Sequence, residues 1–153
     1  AADMARSAAA MEESFYYSNI SPQLPGFNLG IWKKLEEQVR DWAVENKSVY
    51  VITGPVLKDH LQTIGPNKVS VPEYFYKVIL DYAEPDIKGI GFILPNTSSS
   101  KSLKDFAVSI DSVETVTGIN FFPLLPDEHE TVIEYKADVN LWKWNTSATR
   151  NRE

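Results

Sequence analysis

The chain contains no cysteine, which excludes disulfides, thiolate metal sites and a thiol nucleophile. Histidine is nearly as scarce: His60 and His129 are the only two in 153 residues. No apolar run approaches the ~18 residues that a membrane-spanning helix requires. The opening stretch AADMARSAAAMEE lacks the charged and apolar regions of a secretory signal, so any targeting segment would lie upstream. Positive charge is in deficit, with 15 Lys and Arg against 21 Asp and Glu and a formal net charge of −6. That balance argues against a protein that coats nucleic acid by neutralising phosphates. It still permits a site in which a bound dication and a few local cations hold one phosphate. No internal repeat and no second domain boundary is visible.

What is present is an apolar, aromatic-rich chain, 43% hydrophobic and 12% aromatic, long enough for one domain with a real core. Alanine-rich residues 4–16 read as a short helix capped by Asp3. Residues 17–27 form a turn-rich loop, because Ser-Pro-Gln and Leu-Pro-Gly alternately fix and free the backbone. From Asn28 to Asn46, Ile31, Trp32, Leu35, Val39, Trp42 and Ala43 recur at helical spacing and make one stripe. At that rotation Asn28 points the way the stripe points, and Glu36 and Arg40, four apart, flank it.

Residues 49–55 are a strand, apolar on both faces and therefore expected at the centre of a sheet. Residues 58–67 read as a loop holding His60, and residues 68–83 as two strands separated by Pro72. In the second of these, Tyr74, Tyr76, Val78 and Leu80 share one face. Phe75, Lys77 and Ile79 share the other, in a half-buried mixture. Residues 87–95 are a further strand, where Gly89 and Gly91 mark a bulge or a close approach.

A mobile polar loop (96–102) and a short strand (104–110) precede a helix over 111–117 that stops at Gly118. A second helix spans 126–137. Its His129, Asp127, Glu128 and Glu130 are residue types that bind metal, but acids at a helix start are favoured by its dipole alone. Trp142 and Trp144 alternate as in an edge strand or a base-stacking platform, core packing being the preferred reading. The tail 145–153 is polar.

One stretch carries a resemblance. In residues 17–40, Ser18, Asn19, Ile20, Pro22, Gln23, Asn28, Trp32, Leu35, Glu36 and Arg40 resemble the signature of the sugar-nonspecific DNA/RNA endonucleases. This is the endonuclease G and Serratia-nuclease type of the ββα-metal, or His-Me finger, group. The segments VYVITGPVL (49–57), VSVPEYFYKVILD (69–81), GFILPN (91–96) and FAVSIDSVETVTGINFFPLLP (106–126) follow the family's order. One feature departs: the family's general base is the histidine of an Asp-Arg-Gly-His motif. Ala1-Ala2-Asp3 looks like the end of that motif, and neither His60 nor His129 lies in a matching segment.

The resemblance implies an α+β fold, with an antiparallel sheet from residues 49–110 packed against the 28–46 helix. Residues 1–144 would then be the C-terminal portion of a single nuclease domain whose N-terminal part is absent. It implies that Asn28 is the protein ligand of Mg²⁺, with Mn²⁺ as a substitute, and that DNA and RNA are the substrates. Glu36 would order metal-bound water or hold Arg40, Arg40 would clamp the phosphate, and Asn19 and Gln23 would shape the site. Eight residues of continuous helix, about 12 Å, keep Glu36 out of a shell shared with Asn28 unless the helix start is bent. The chain alone is expected to be inactive, with its missing N-terminal segment or a second copy covering exposed apolar surface. The alternative is a clipped or degenerate nuclease fold that serves as a binding module. The compartment is open: secreted or periplasmic for a bacterial chain, mitochondrial for a eukaryotic one.

Overall fold

The computed structural model describes residues 7–13, 16 and 20–145. In chain order its elements begin with helix α1 (Ala8–Glu13) and a π-type turn (Phe27–Trp32) that runs into helix α2 (Lys33–Glu45). Strand β1 (Tyr50–Pro55) follows, then a small hairpin of β2 (Thr63–Ile64) and β3 (Val69–Ser70). Strands β4 (Tyr74–Asp81) and β5 (Lys88–Pro95) lead through a 3-10 turn (Leu103–Phe106) to β6 (Ala107–Val108). Helices α3 (Ile110–Thr117) and α4 (Asp127–Tyr135) and a final 3-10 turn (Val139–Leu141) complete the chain. The main sheet is antiparallel, in the order β1-β4-β5-β6.

Side chains alternate across a strand, and here that alternation builds two cores. One face of β4 and β5 presents Phe75, Ile79, Ile90, Phe92 and Leu94 to Phe27, Ile31, Trp32, Leu35, Val39 and Trp42. The other presents Tyr76, Val78 and Leu80 to Ile110 and Val113 of α3 and Ile133 of α4. The molecule is therefore three layers, with the π-type turn and α2 on one side of the sheet and α3 and α4 on the other. Gly89 and Gly91 permit the second contact: a Cβ on Gly89 would lie 2.6 Å from Ile110 Cδ1, and one on Gly91 2.6 Å from Val113 Cγ2. The unbroken register from Tyr74↔Pro95 to Asp81↔Lys88 selects close approach over a bulge.

Several expectations need correction. β1 is an edge strand, with Tyr50 64% and Val51 42% exposed. β4 is an interior strand beside β5, and every residue from Phe75 to Asp81, Lys77 included, is buried. Alternation reports the polarity of a face but not what lies beside the strand, so the two were exchanged. The 58–67 loop contains β2, and the expected 104–110 strand is shortened to β6, its first residues forming a 3-10 turn fixed by a reciprocal Ser102–Asp105 capping box. No strand forms at residues 138–144. Instead Trp142 is buried, with its ring centroid 4.6 Å from that of Trp42, in agreement with core packing. Helix α1 starts after Ser7, whose Oγ accepts from the Ala10 N–H, while Asp3 lies outside the described residues. The helix over 111–117 is borne out, capped by Ser109 and ended by Gly118 in the left-handed region.

Candidate active site

The turn that carries Asn28 is pinned from both ends. Asn96, buried at the end of β5, accepts a hydrogen bond on Oδ1 from the Leu24 N–H (2.9 Å). Its Nδ2 donates to the carbonyls of Pro22 (3.2 Å) and Pro72 (2.9 Å). Leu24 in turn accepts at its carbonyl from the N–H groups of both Phe27 and Asn28, each at 3.0 Å. Phe27 is fully buried, its ring centroid 5.1 Å from Trp32 and 5.4 Å from Phe75. A loop that is polar in sequence is thereby fixed to the sheet by one amide and one aromatic ring.

Asn28 sits beside that anchor with an exposed side chain. The N-cap position of the turn belongs to Gly26, and no side chain caps it, so the plain role of helix cap does not explain Asn28. The expectation that Asn28 points with the apolar stripe is corrected. The π-type turn adds residues per turn, placing Phe27, Ile31 and Trp32 on the buried side and Asn28 outside.

The helical run is also interrupted at Gly30 (φ −102°, ψ −111°), so the straight-helix separation of Asn28 and Glu36 does not apply. Beyond the kink, α2 buries Leu35, Gln38, Val39 and Trp42. Glu36 is half-buried and Arg40 exposed on the flank of that stripe, with Lys33 and Lys34 also exposed. Gln23 is half-buried between the Pro22 and Leu24 anchors, and Asn19 lies outside the described residues. The Asn28 amide and the Glu36 carboxylate both offer oxygen, the donor type a hard dication such as Mg²⁺ takes.

Two positioning residues had no role in the sequence reading. Asn96 registers there only as the last residue of the GFILPN segment and the first of the polar loop 96–102. A short polar residue directly after an apolar strand and Pro95 was the available signal. Lys77 is 6% exposed, with Nζ donating to Thr53 Oγ1 at 2.6 Å and lying 4.7 Å from the Trp32 ring centroid. It underpins the π-type turn from the sheet. A lysine inside an otherwise apolar strand was its signal.

Neither histidine joins this turn in any contact given by the structure. His60 is exposed, at φ 62°. His129 Nδ1 lies 3.0 Å from the Tyr82 hydroxyl, in the α4 layer.

A family described as DNA/RNA non-specific endonuclease matches residues 1–128. The chain belongs to that endonuclease family. Endonuclease G, mitochondrial, of Homo sapiens is 36% identical, the match covering 74% of this chain and 43% of that protein. Nuclease EXOG, mitochondrial, of Danio rerio is 36% identical over 82% of this chain and 41% of its own length. The mitochondrial nuclease of Saccharomyces cerevisiae is 36% identical over 82% and 45%. A chain from the crystal structure of the EndoG/EndoGI complex, which concerns the mechanism of EndoG inhibition, superposes with a TM-score of 0.68. It is 34% identical, and the match covers 78% of this chain and 55% of that one. The likeness supports the ββα-metal nuclease fold. The chain spans about two fifths of the length of the curated relatives it matches.

Proposed function

We propose that this chain is the C-terminal portion of a Mg²⁺-dependent endonuclease that hydrolyses phosphodiester bonds in DNA and RNA without marked sugar preference. Its general-base histidine is supplied by residues upstream of Ala1. The observation that carries this reading is an exposed Asn28, engaged in no cap, on a turn that Asn96, Phe27 and Lys77 hold to the sheet. Catalytic ligands need such fixed placement.

Asn28 Oδ1 would hold the cation. When bound, the cation neutralises charge on the phosphate and the leaving oxygen. Glu36 accepts hydrogen bonds from water at the site or orients Arg40. Arg40, always protonated, offers charge to the phosphate, and Lys33 and Lys34 extend that positive flank. Gln23 and Asn19 shape the preceding loop. The family names of the relatives support a mitochondrial location. The open β1 edge supports pairing with upstream strands of the same domain or with a second copy.

The test is digestion of plasmid DNA and of RNA by a polypeptide extended upstream through the Asp-Arg-Gly-His segment, with and without EDTA. Activity that EDTA removes, and that Asn28→Ala abolishes while the circular dichroism spectrum is unchanged, is expected. The 153-residue chain alone is expected to be inactive. No cleavage by the extended polypeptide would favour a non-catalytic binding module, and full activity in Asn28→Ala would remove the metal assignment.

A further inference from the structure

On the sheet face away from Asn28, α3 and α4 enclose a cleft of about 280 Å³ lined by Asp111, Glu114, Glu130, Thr131, Glu134 and Tyr135. Among the described residues, no lysine, arginine or histidine lines it. One carboxylate oxygen from each of Asp111, Glu114 and Glu134 falls within 4.8 Å of the others. Two oxygens on opposite sides of one calcium ion lie about 5 Å apart, so the three fit a single hard cation.

Glu134 supplies the independent sign of a ligand. It is only 3% exposed, yet its Oε1 has no hydrogen-bond partner among the described residues. A buried carboxylate oxygen normally finds one. Burial, then Glu114, Glu130 and Asp111, push its pKa up to about 7, the signature of negative charge gathered without its counter-charge. The opposite wall is already ordered. Glu114 Oε1 accepts from the Phe121 N–H at 2.8 Å, which fixes its carboxylate beside Asp111, three residues away on the same helix. The match to the endonuclease family ends at residue 128, so Glu134 lies beyond it.

We propose that Asp111, Glu114 and Glu134 form a second divalent-cation site, of the calcium or magnesium class, that ties α4 to α3. An all-carboxylate donor set with an open side for water selects a hard cation over a transition metal. The site has no part in phosphodiester hydrolysis. Its ion is a structural clamp between two helices on the far layer.

The experiment titrates CaCl₂ and, separately, MgCl₂ into the full 153-residue chain by calorimetry, and follows melting temperature in each cation and in EDTA. Terbium luminescence sensitised by the neighbouring Tyr135 gives a second readout. Asn28→Ala is the background, so that any ion bound at the turn is removed. One ion per chain is expected to remain there and to raise the melting temperature. Glu134→Gln, and separately Asp111→Asn at the mouth of the cleft, should weaken it at least about tenfold with the fold intact. If neither cation binds the Asn28→Ala chain, or if both amide variants bind as tightly as their parent, the site does not exist. Neither result bears on whether the extended polypeptide cleaves nucleic acid.

Discussion

Asn96 shows how much of the candidate site rests on residues that touch no substrate. Its three side-chain hydrogen bonds, to Leu24, Pro22 and Pro72, join two stretches of chain more than 45 residues apart. Asn96→Ala leaves these backbone groups unmatched, at about 1–3 kcal/mol for each buried one. An overall loss of about 2–4 kcal/mol is expected in urea denaturation, together with a larger drop in kcat than in substrate affinity, because the turn bearing Asn28 loosens.

Glu134 has the opposite character: its environment resists ionisation. The folded state holds its proton more tightly than the unfolded chain. That contribution is therefore full below the ordinary carboxylate range and is lost as pH rises through about 7. In EDTA, the melting temperature should fall between about pH 5 and about pH 8. Glu134→Gln, with nothing to ionise, should lower that dependence, and an unchanged slope would show that Glu134 titrates like an exposed acid. Neither residue announces its role in sequence. Asn96 reads as loop composition and Glu134 as one more acid on an acidic helix, because hydrogen-bond partners and desolvation are set by segments distant in the chain.

The elements themselves were largely legible, since helices and strands follow from the period of apolar residues. α3 has a serine cap and a glycine stop at its two ends, and β5 runs apolar between Lys88 and Pro95. The π-type turn was not legible. Ile31, Trp32, Leu35, Val39 and Trp42 keep helical spacing across it, and only the burial of Phe27 in place of Asn28 reveals the extra residue. The order of strands was also beyond reach, since edge and centre differ in neighbours more than in composition.

Layer spacing yields a sharper expectation. The Cβ of Ala at position 91 would meet Val113 Cγ2 at 2.6 Å and the Ser109 carbonyl oxygen at 3.0 Å. Gly91→Ala must push α3 off the sheet, at about 1–3 kcal/mol by the usual cost of overpacking. A variant as stable as the parent in denaturant titration would mean that α3 moves freely, and would weaken the view of that layer as a fixed frame.

At the scale of the molecule, the acidity that argued against nucleic-acid binding is unevenly placed. α3 carries Asp111 and Glu114, and α4 carries Asp127, Glu128, Glu130 and Glu134, with no Lys or Arg in either helix. Their formal charge equals the whole chain's −6, so the remaining residues balance. The sheet separates this acidic layer from the α2 layer with Lys33, Lys34 and Arg40. A phosphate backbone approaching Asn28 would meet a near-neutral flank, where Lys33, Lys34 and Arg40 stand among Glu36, Glu37, Asp41 and Glu45 of α2, while the unbalanced block of acids stands behind the sheet and salt screens what reaches across.

The salt dependence of binding tests this directly. Each cation that contacts a phosphate adds about 0.9 to the slope of log affinity against log salt. In the extended polypeptide held in EDTA, Arg40→Gln or Lys33→Gln should flatten that slope by about 1 for a labelled duplex followed by anisotropy. Neutralising the exposed Asp127 and Glu128 on α4 should leave it unchanged. If the α4 changes alter the slope as much as the α2 changes do, nucleic acid reaches both layers, and the assignment of the α2 face as the binding surface fails.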